Sequence, residues 1–332
     1  MSLMKQSDVN KFFLGIDTSN YTTSAALCSE NGDIVLNVKL PLPVKSGERG
    51  LRQSDAVFYH VKNLPVAAEK VGEYLRKNNG SLVAVGFSAF PRGNEGSYMP
   101  CFLSGEAVAS FVAQTYGVPL YKTSHQAGHV MAALYSSCVN NNANMHEFMK
   151  NKFIAFHVSG GTTDMLLVSP DEEELFEIEQ IGGSLDINGG QAIDRAGVMM
   201  GLQFPCGAEM DKAALKYDGK LQKTKLSVNG THCNLSGLEN KATELYKTSN
   251  DIGATSAFVL DFIARTIEKL TQNALLEFGD IQVLYAGGVM SSEYIKKTLG
   301  KYGMFADAVF SSDNAAGVAL ITLEKYNKDN NE

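Results

Sequence analysis

The sequence lacks any apolar run approaching the ~20 residues that a helix needs to cross a bilayer. No secretory leader is visible, and Met1-Ser2-Leu3 reads as a cloning remnant ahead of a start at Met4. Cysteine is sparse: Cys28, Cys101, Cys138, Cys206 and Cys233 are odd in number, scattered, and form no C-x-x-C pair. That pattern excludes a disulfide framework and a zinc knuckle and predicts reduced thiols in a cytoplasmic protein. Positive charge is also short, with 29 Lys and Arg against 36 Asp and Glu and a net charge of −7. A chain so charged does not attract nucleic acid through its global field, so an RNA substrate requires a local basic patch or a basic partner. The one dense cluster is Lys212, Lys216, Lys220, Lys223 and Lys225, and such a run reads first as a solvated helix face and loop.

What is present is an ordinary globular composition, 44% hydrophobic and 20% charged, in 332 residues, enough for two domains. One short stretch carries the clearest chemistry: Ser124-His125-Gln126-Ala127-Gly128-His129. Residues four apart share a helix face, so the imidazoles of His125 and His129 can converge on one metal ion. Pro119-Leu120-Tyr121 reads as a strand feeding this helix, with Ser124 as its N-cap.

Two segments related by 140 residues repeat the same pattern. Phe12 to Asp17 is an apolar strand ending in a carboxylate, followed by a polar turn and a second strand, Ser24 to Cys28. Phe153 to Val158, the turn Ser159-Gly160-Gly161-Thr162 and the strand from Thr163 follow the same plan. Phe13 aligns with Phe153, Ser19 with Ser159, Thr22 with Thr162, Thr23 with Thr163, and Asp17 with His157. A repeat so long predicts two duplicated α/β lobes facing each other across a cleft rather than a solenoid. The lobes are expected over 12–138 and 152–328, joined by the Asn-rich segment 140–149, with the last helix returning to the first lobe. In the second turn, two glycines admit backbone N–H groups close to a ligand and hydroxyls stand ready for oxyanions, although Gly-Gly is also a common hairpin turn.

Further along, Gly189 to Gly197 reads as a glycine-started helix carrying Asp194, an acceptor for a ribose or a partner for Arg195 or Lys212. The strand Val283-Leu284-Tyr285 runs into Ala286-Gly287-Gly288-Val289, a second place where backbone can approach a nucleotide. Asp313 stands at a helix start, where Asp also serves as an N-cap.

Taken together, Gly15-Ile16-Asp17-Thr18-Ser19, His125-x-x-x-His129, Val158-Ser159-Gly160-Gly161-Thr162-Thr163, Asp186 to Asp194, Ala286-Gly287-Gly288-Val289 and Asp313-Asn314-Ala315-Ala316 resemble the tRNA N6-adenosine threonylcarbamoyltransferase family, formerly the glycoprotease or O-sialoglycoprotein endopeptidase family, over about residues 12–325. The resemblance implies an actin/hexokinase/Hsp70-like (ASKHA) duplicated two-lobe α/β fold. It implies one divalent metal ion, iron or zinc, on His125, His129 and Asp313, a set that leaves coordination positions open. It places an adenine nucleotide, ATP or threonylcarbamoyl-AMP, against His157, Val158, Ser159, Gly160, Gly161, Asp194, Gly207, Asp211, Gly287, Gly288 and Ser292. Asp17, standing where the family has a glutamate, is the catalytic carboxylate expected. The activity implied is transfer of threonylcarbamoyl to the adenosine beside the tRNA anticodon, with partner subunits and pairing with a related ASKHA-fold protein.

Several positions depart from the family pattern: Asn20-Tyr21-Thr22, Pro91 to Glu95, Thr162, and Ser292 in place of an asparagine. They mark a divergent paralogue and keep a small-molecule acceptor open as the alternative. A metallopeptidase is disfavoured because Gln126 occupies the position of the glutamate in His-Glu-x-x-His. A non-catalytic scaffold would have no use for the metal ligands.

Overall fold

Strand formation here follows from apolar residues covered on both faces. Phe12, Leu14 and Ile16 lie on one side of the first strand and pack into a core with Leu64, Val71, Val85 and Phe87. Phe13 lies on the other side, edge-on to Tyr326. The computed structural model describes residues 9–19, 21–43, 51–93, 96–310 and 315–331. It divides into two units. The first comprises the described residues up to Ala132, Asp171–Leu175 and the last helix; the second holds Ala133–Pro170 and the described residues from Phe176 to 310.

The first unit contains β1 (Asn10–Ser19), β2 (Thr22–Ser29), β3 (Ile34–Pro41), α1 (Gln53–Lys77), β4 (Gly80–Phe90), α2 (Phe102–Tyr116) and β5 (Leu120–Ser124). It also holds the start of α3 (His125–Asn141), which continues into the second unit. The sheet order is β3-β2-β1-β4-β5, with β1 antiparallel to β2 and parallel to β4. Helices α1 and α2 cover one face.

The second unit continues with α4 (Met145–Met149), β6 (Phe153–Val158), β7 (Thr163–Asp171), β8 (Leu175–Ser184), α5 (Gly189–Met199), α6 (Gly207–Lys216), β9 (Val228–Asn229), β10 (His232–Cys233), α7 (Gly237–Ser249), α8 (Ile252–Phe278), β11 (Gln282–Ala286), α9 (Glu293–Leu299) and β12 (Met304–Phe305). The final helix, α10 (Ala315–Asn331), belongs to the first unit. It covers the other face of the first sheet: a Cβ on Gly15 would lie 2.3 Å from the Ala315 carbonyl oxygen. The segment 140–149, expected as a linker, instead ends α3 at Asn141 and forms α4. Asn144 supplies the reason, its side chain accepting the His146 N–H at 3.0 Å as an N-cap.

The second sheet runs β12-β11-β6-β7-β8-β10-β9. Its first five strands, read from β8, repeat the order of the first sheet. The hairpin register repeats too: Phe13 pairs with Cys28 and Asp17 with Ser24, while Phe153 pairs with Val168 and His157 with Asp164. Both members of each pair in the second hairpin lie 140 residues beyond their counterparts in the first. Helix α8 is buried along most of its length and anchors this unit's core with Ile154, Phe156, Val158 and Tyr285. Asp186, just past β8, ties that strand to the start of α7. Burial opposes its charge, but N–H groups of Leu235, Ser236 and Ile187 at 2.7–3.0 Å outweigh this and pull its pKa down to about 2.

Candidate functional site

Each unit gathers polar groups at the carboxyl ends of its parallel strands, where open α/β sheets bind ligands. In the first unit, β5 runs directly into α3, and Ser124 caps that helix by accepting the Ala127 N–H at 3.0 Å. This fixes His125 in the first turn and His129 one turn on. Their ring centroids are 4.7 Å apart, with planes at 73°. Asp17, 1% exposed near the end of β1, sets both oxygens within 3.0–3.2 Å of the His125 Nδ1. A carboxylate accepts, so Nδ1 is the donor in this contact, and Nε2 takes no part in it. A carboxylate that orients a metal-ligating imidazole makes this same contact.

On the neighbouring strands, Ser88 and Thr123 are in register with each other, and Ser88 follows Phe87, the partner of Ile16 on β1. Both hydroxyls are buried without a hydrogen-bond partner among the described residues, which leaves polar capacity beside Asp17 for a bound group. Asp313 lies outside the described residues. Helix α10, which begins two residues later, packs by backbone contact on Gly15, and a Cβ on its Gly317 would lie 1.9 Å from the Gly128 carbonyl oxygen, between the two histidines in sequence. Among the described residues, no three His, Cys, Asp or Glu side chains gather as a metal site. The donor chemistry nonetheless fits a divalent cation: two imidazoles on one helix face, one of them oriented by a buried carboxylate.

In the second unit, Gly160, Asp194, Gly207, Asp211, Gly288 and Ser292 line one cavity of about 450 Å³, a volume within the range of small-ligand pockets. They come from the turn after β6, from α5 and α6, and from the end of β11. Cβ atoms on Gly160, Gly207 and Gly288 would meet nothing within 4 Å, so these glycines leave open room along the cavity. Gly190 and Gly287 are different. A Cβ on Gly190 would lie 2.6 Å from the Gly160 nitrogen, because α5 packs its start onto the turn, its Gly190 N–H donating to the Ser159 carbonyl at 3.0 Å. One on Gly287, whose φ is +99°, would lie 2.2 Å from the Val158 carbonyl oxygen.

Of the other residues expected at this site, His157, Val158, Ser159, Gly161 and Gly287 are not in the cavity lining. Ser159 organises the turn, its Oγ accepting the N–H groups of Gly161 and Thr162 at 3.1 Å. Val158 is buried in the core, and His157 pairs across the hairpin with Asp164. Asp194, in the lining, accepts the Cys206 N–H at 2.7 Å through Oδ1, which positions the start of α6. Asp211 accepts from the Ser292 hydroxyl and from the N–H groups of Glu293 and Tyr294 at 3.2 and 3.1 Å, so it and Ser292 together cap α9. Eight lining residues were not expected, among them Gly190, Lys212 and Ser291. The Ser291 hydroxyl oxygen is buried and has no hydrogen-bond partner among the described residues, and only its place next to Ser292 could have signalled it.

Among the described residues no helix is long and apolar enough to cross a membrane. Residues 49–320 match the family model described as tRNA N6-adenosine threonylcarbamoyltransferase. The chain is 27% identical to the tRNA N6-adenosine threonylcarbamoyltransferase of Thermosipho africanus, over 95% of this chain and 94% of that protein. It is 28% identical to the protein of that name from Christiangramia forsetii, over 97% and 95%. Among solved structures, full-length HypF in its phosphate- and nucleotide-bound form matches at TM-score 0.56 and 11% identity, over 97% of this chain and 56% of that one. T. kodakarensis HypF matches at TM-score 0.55 and 13% identity, over 96% and 48%. These likenesses concern the fold alone and agree with the repeated strand order, which is that of the actin/hexokinase/Hsp70 type. The family match spans most of the sequence, and the chain belongs to the tRNA N6-adenosine threonylcarbamoyltransferase family.

Proposed function

We infer that this protein transfers a threonylcarbamoyl group from threonylcarbamoyl-AMP to the exocyclic amine of the adenosine beside a tRNA anticodon. The observation that carries this reading is the convergence of six residues, 160 to 292 in sequence, on one ligand-sized cavity in a chain of this family. The adenylate moiety occupies that cavity. Open backbone at Gly160, Gly207 and Gly288 lets it approach, and Asp194 offers a carboxylate oxygen to its ribose. In the transfer, the adenosine amine forms a bond to the carbamoyl carbon, the bond from that carbon to the phosphate oxygen breaks, AMP leaves, and the amine loses one proton.

His125, His129 and Asp313 hold a divalent ion, iron or zinc. When bound, such an ion supplies Lewis-acid polarisation of a carbonyl. Asp17 is a positioning residue in this reading, holding His125 in one tautomer through Nδ1. The exposed apolar side chains of Phe58 and Val61 on α1 and Leu103 and Phe111 on α2, the last 73% exposed, are where a related ASKHA-fold subunit docks. The compartment is the cytoplasm, where tRNA and ATP are present.

The test is incorporation of labelled threonine into unmodified tRNA, given ATP, bicarbonate and the enzymes that form and support the adenylate. The wild-type protein is expected to incorporate label. His125→Ala and His129→Ala are expected to lose both bound metal and incorporation. No incorporation by the wild type would overturn the acceptor, and full activity with unchanged metal content in both variants would overturn the metal ligands.

A further inference from the structure

The segment 212–225 carries five lysines against one carboxylate, Asp218, a net +4 in a chain of −7, so the rest of the sequence stands at −11. All five lysines are exposed, and none of them forms an ion pair among the described residues.

The backbone that carries them is fastened down. Lys212 and Lys216 are one turn apart on α6, about 6 Å along its axis. Beyond the helix the chain has no regular structure, yet Tyr217, Leu221 and Leu226 pack against the second unit's core. Main-chain carbonyls between them are held from below: Thr224 accepts from Arg265 Nη1 at 3.3 Å and Lys225 from Lys241 Nζ at 3.3 Å. Apolar side chains therefore anchor the segment while Lys216, Lys220, Lys223 and Lys225 face solvent. The strip is fixed before any partner arrives, which lowers the ordering cost of binding. It also starts at the cavity, which Lys212 lines.

We propose that this strip is a docking surface for the phosphate backbone of an RNA, leading the substrate tRNA toward the cavity. An extended, preordered row of unpaired ammonium groups fits a polyanion with regularly spaced phosphates. Displacing counterions along that backbone gives sequence-independent affinity that falls steeply with salt. The identity of the RNA rests on the transferase reading above; the location of the surface rests on the lysines.

The experiment measures binding of fluorescent tRNA by polarisation between 50 and 200 mM salt. Compared are the wild type, a variant with Lys216, Lys220, Lys223 and Lys225 each changed to Gln, and a charge-matched control with Lys70, Lys77, Lys247 and Lys269 changed to Gln, all exposed. Lys212 is left in place because it lines the cavity. The strip variant is expected to flatten the dependence of log affinity on log salt by about three, at ~0.7–0.9 for each phosphate no longer neutralised. Its thermal melting and its AMP binding by calorimetry are expected to match the wild type. Equal losses in the strip and control variants, or none in the strip variant, overturn the surface while leaving the transferase reading intact. A wild type that binds AMP but no tRNA overturns the acceptor and this proposal with it. Loss of binding to phosphatidylserine vesicles with tRNA binding unchanged assigns the strip to a membrane and overturns the proposal.

Discussion

The two halves of the molecule share a strand order and a hairpin register, and they differ at the polar ends of the same strands. Asp17 in the first half corresponds to His157 in the second, and Asn20-Tyr21 correspond to Gly160-Gly161. Thr23 and Thr163 are the same residue with different duties. Thr23 Oγ1 lies 2.8 Å from Nδ1 of the buried His60 on α1, whereas Thr163 Oγ1 accepts the Gly189 N–H at 2.8 Å at the start of α5. Buried apolar positions tolerate little change, because close packing penalises both voids and overlaps. Strand ends can diverge, and one half has become a setting for imidazole and carboxylate, the other an open glycine-lined cavity. Duplication conserved the frame and reassigned its edge.

The largest expected effects come from breaking the frame of the second half. Gly190→Ala would set a methyl group against the backbone of the Ser159–Gly160 turn, and Gly287→Ala would set one against Val158 at a left-handed φ. Each is expected to cost about 3 kcal/mol, the upper range of overpacking, with a further contribution from backbone strain at Gly287. Urea unfolding checks this, and losses under 1 kcal/mol in both would show that the turn yields easily.

Next in size is a change at the strand end of the first half. Asp17→Asn keeps shape and an acceptor oxygen but removes the charge that fixes His125. Metal affinity is expected to fall about 10- to 100-fold, the usual cost of losing an orienting carboxylate. Competition with a chromophoric chelator measures it without any turnover assay. His157→Gln, at the corresponding place in the second half, is expected to leave metal affinity unchanged. Equal effects would mean that the halves have not diverged in this respect.

Smaller again are the open glycines. Gly207→Ala and Gly288→Ala add a methyl group where nothing stands within 4 Å. Stability is expected to stay within about 0.5 kcal/mol, while AMP affinity falls about tenfold, roughly 1.4 kcal/mol. Unchanged AMP binding in both variants would sink the cavity as the adenylate site.

Much of this frame was legible in the sequence. The 140-residue offset is visible because strand ends need the same small polar residues twice, and the register then carries it through the hairpin. The histidine pair is local, so helix periodicity finds it. What stayed hidden depends on contacts between distant segments. Asp211 and Ser292 read as ligand-binding residues and do line the cavity, but their joint cap on α9, made by residues 81 positions apart, was invisible. Gly190 looks like Gly207 in sequence, and only the packing of α5 on the turn separates a glycine that the fold requires from one that a ligand could use. Segment 140–149 read as a linker because asparagine favours loops, yet one of those asparagines caps a helix.

The smallest effect, and the finest distinction between the halves, lies in the two threonines. His60 is fully buried, and burial lowers its pKa below the usual histidine value, outweighing the opposing pull of nearby polar groups and Asp17. The folded state therefore holds this imidazole neutral, whereas the unfolded chain takes up a proton near pH 6.5. Below that pH the unfolded state binds more protons, so the stability tied to neutral His60 is present above about 6.5 and declines as pH falls toward the lower folded value. The slope cannot exceed that of one proton. His60→Gln is expected to remove this part of the pH dependence while lowering stability at pH 8. Thr163→Val deletes the second half's hydrogen bond, to a backbone N–H that does not titrate, and is expected to cost about 1 kcal/mol equally at pH 8 and pH 5.5. Urea unfolding of the three proteins at both pH values separates the two cases. If His60→Gln keeps the wild-type slope, the acid sensitivity belongs to another group and the two threonines differ only in partner, not in consequence.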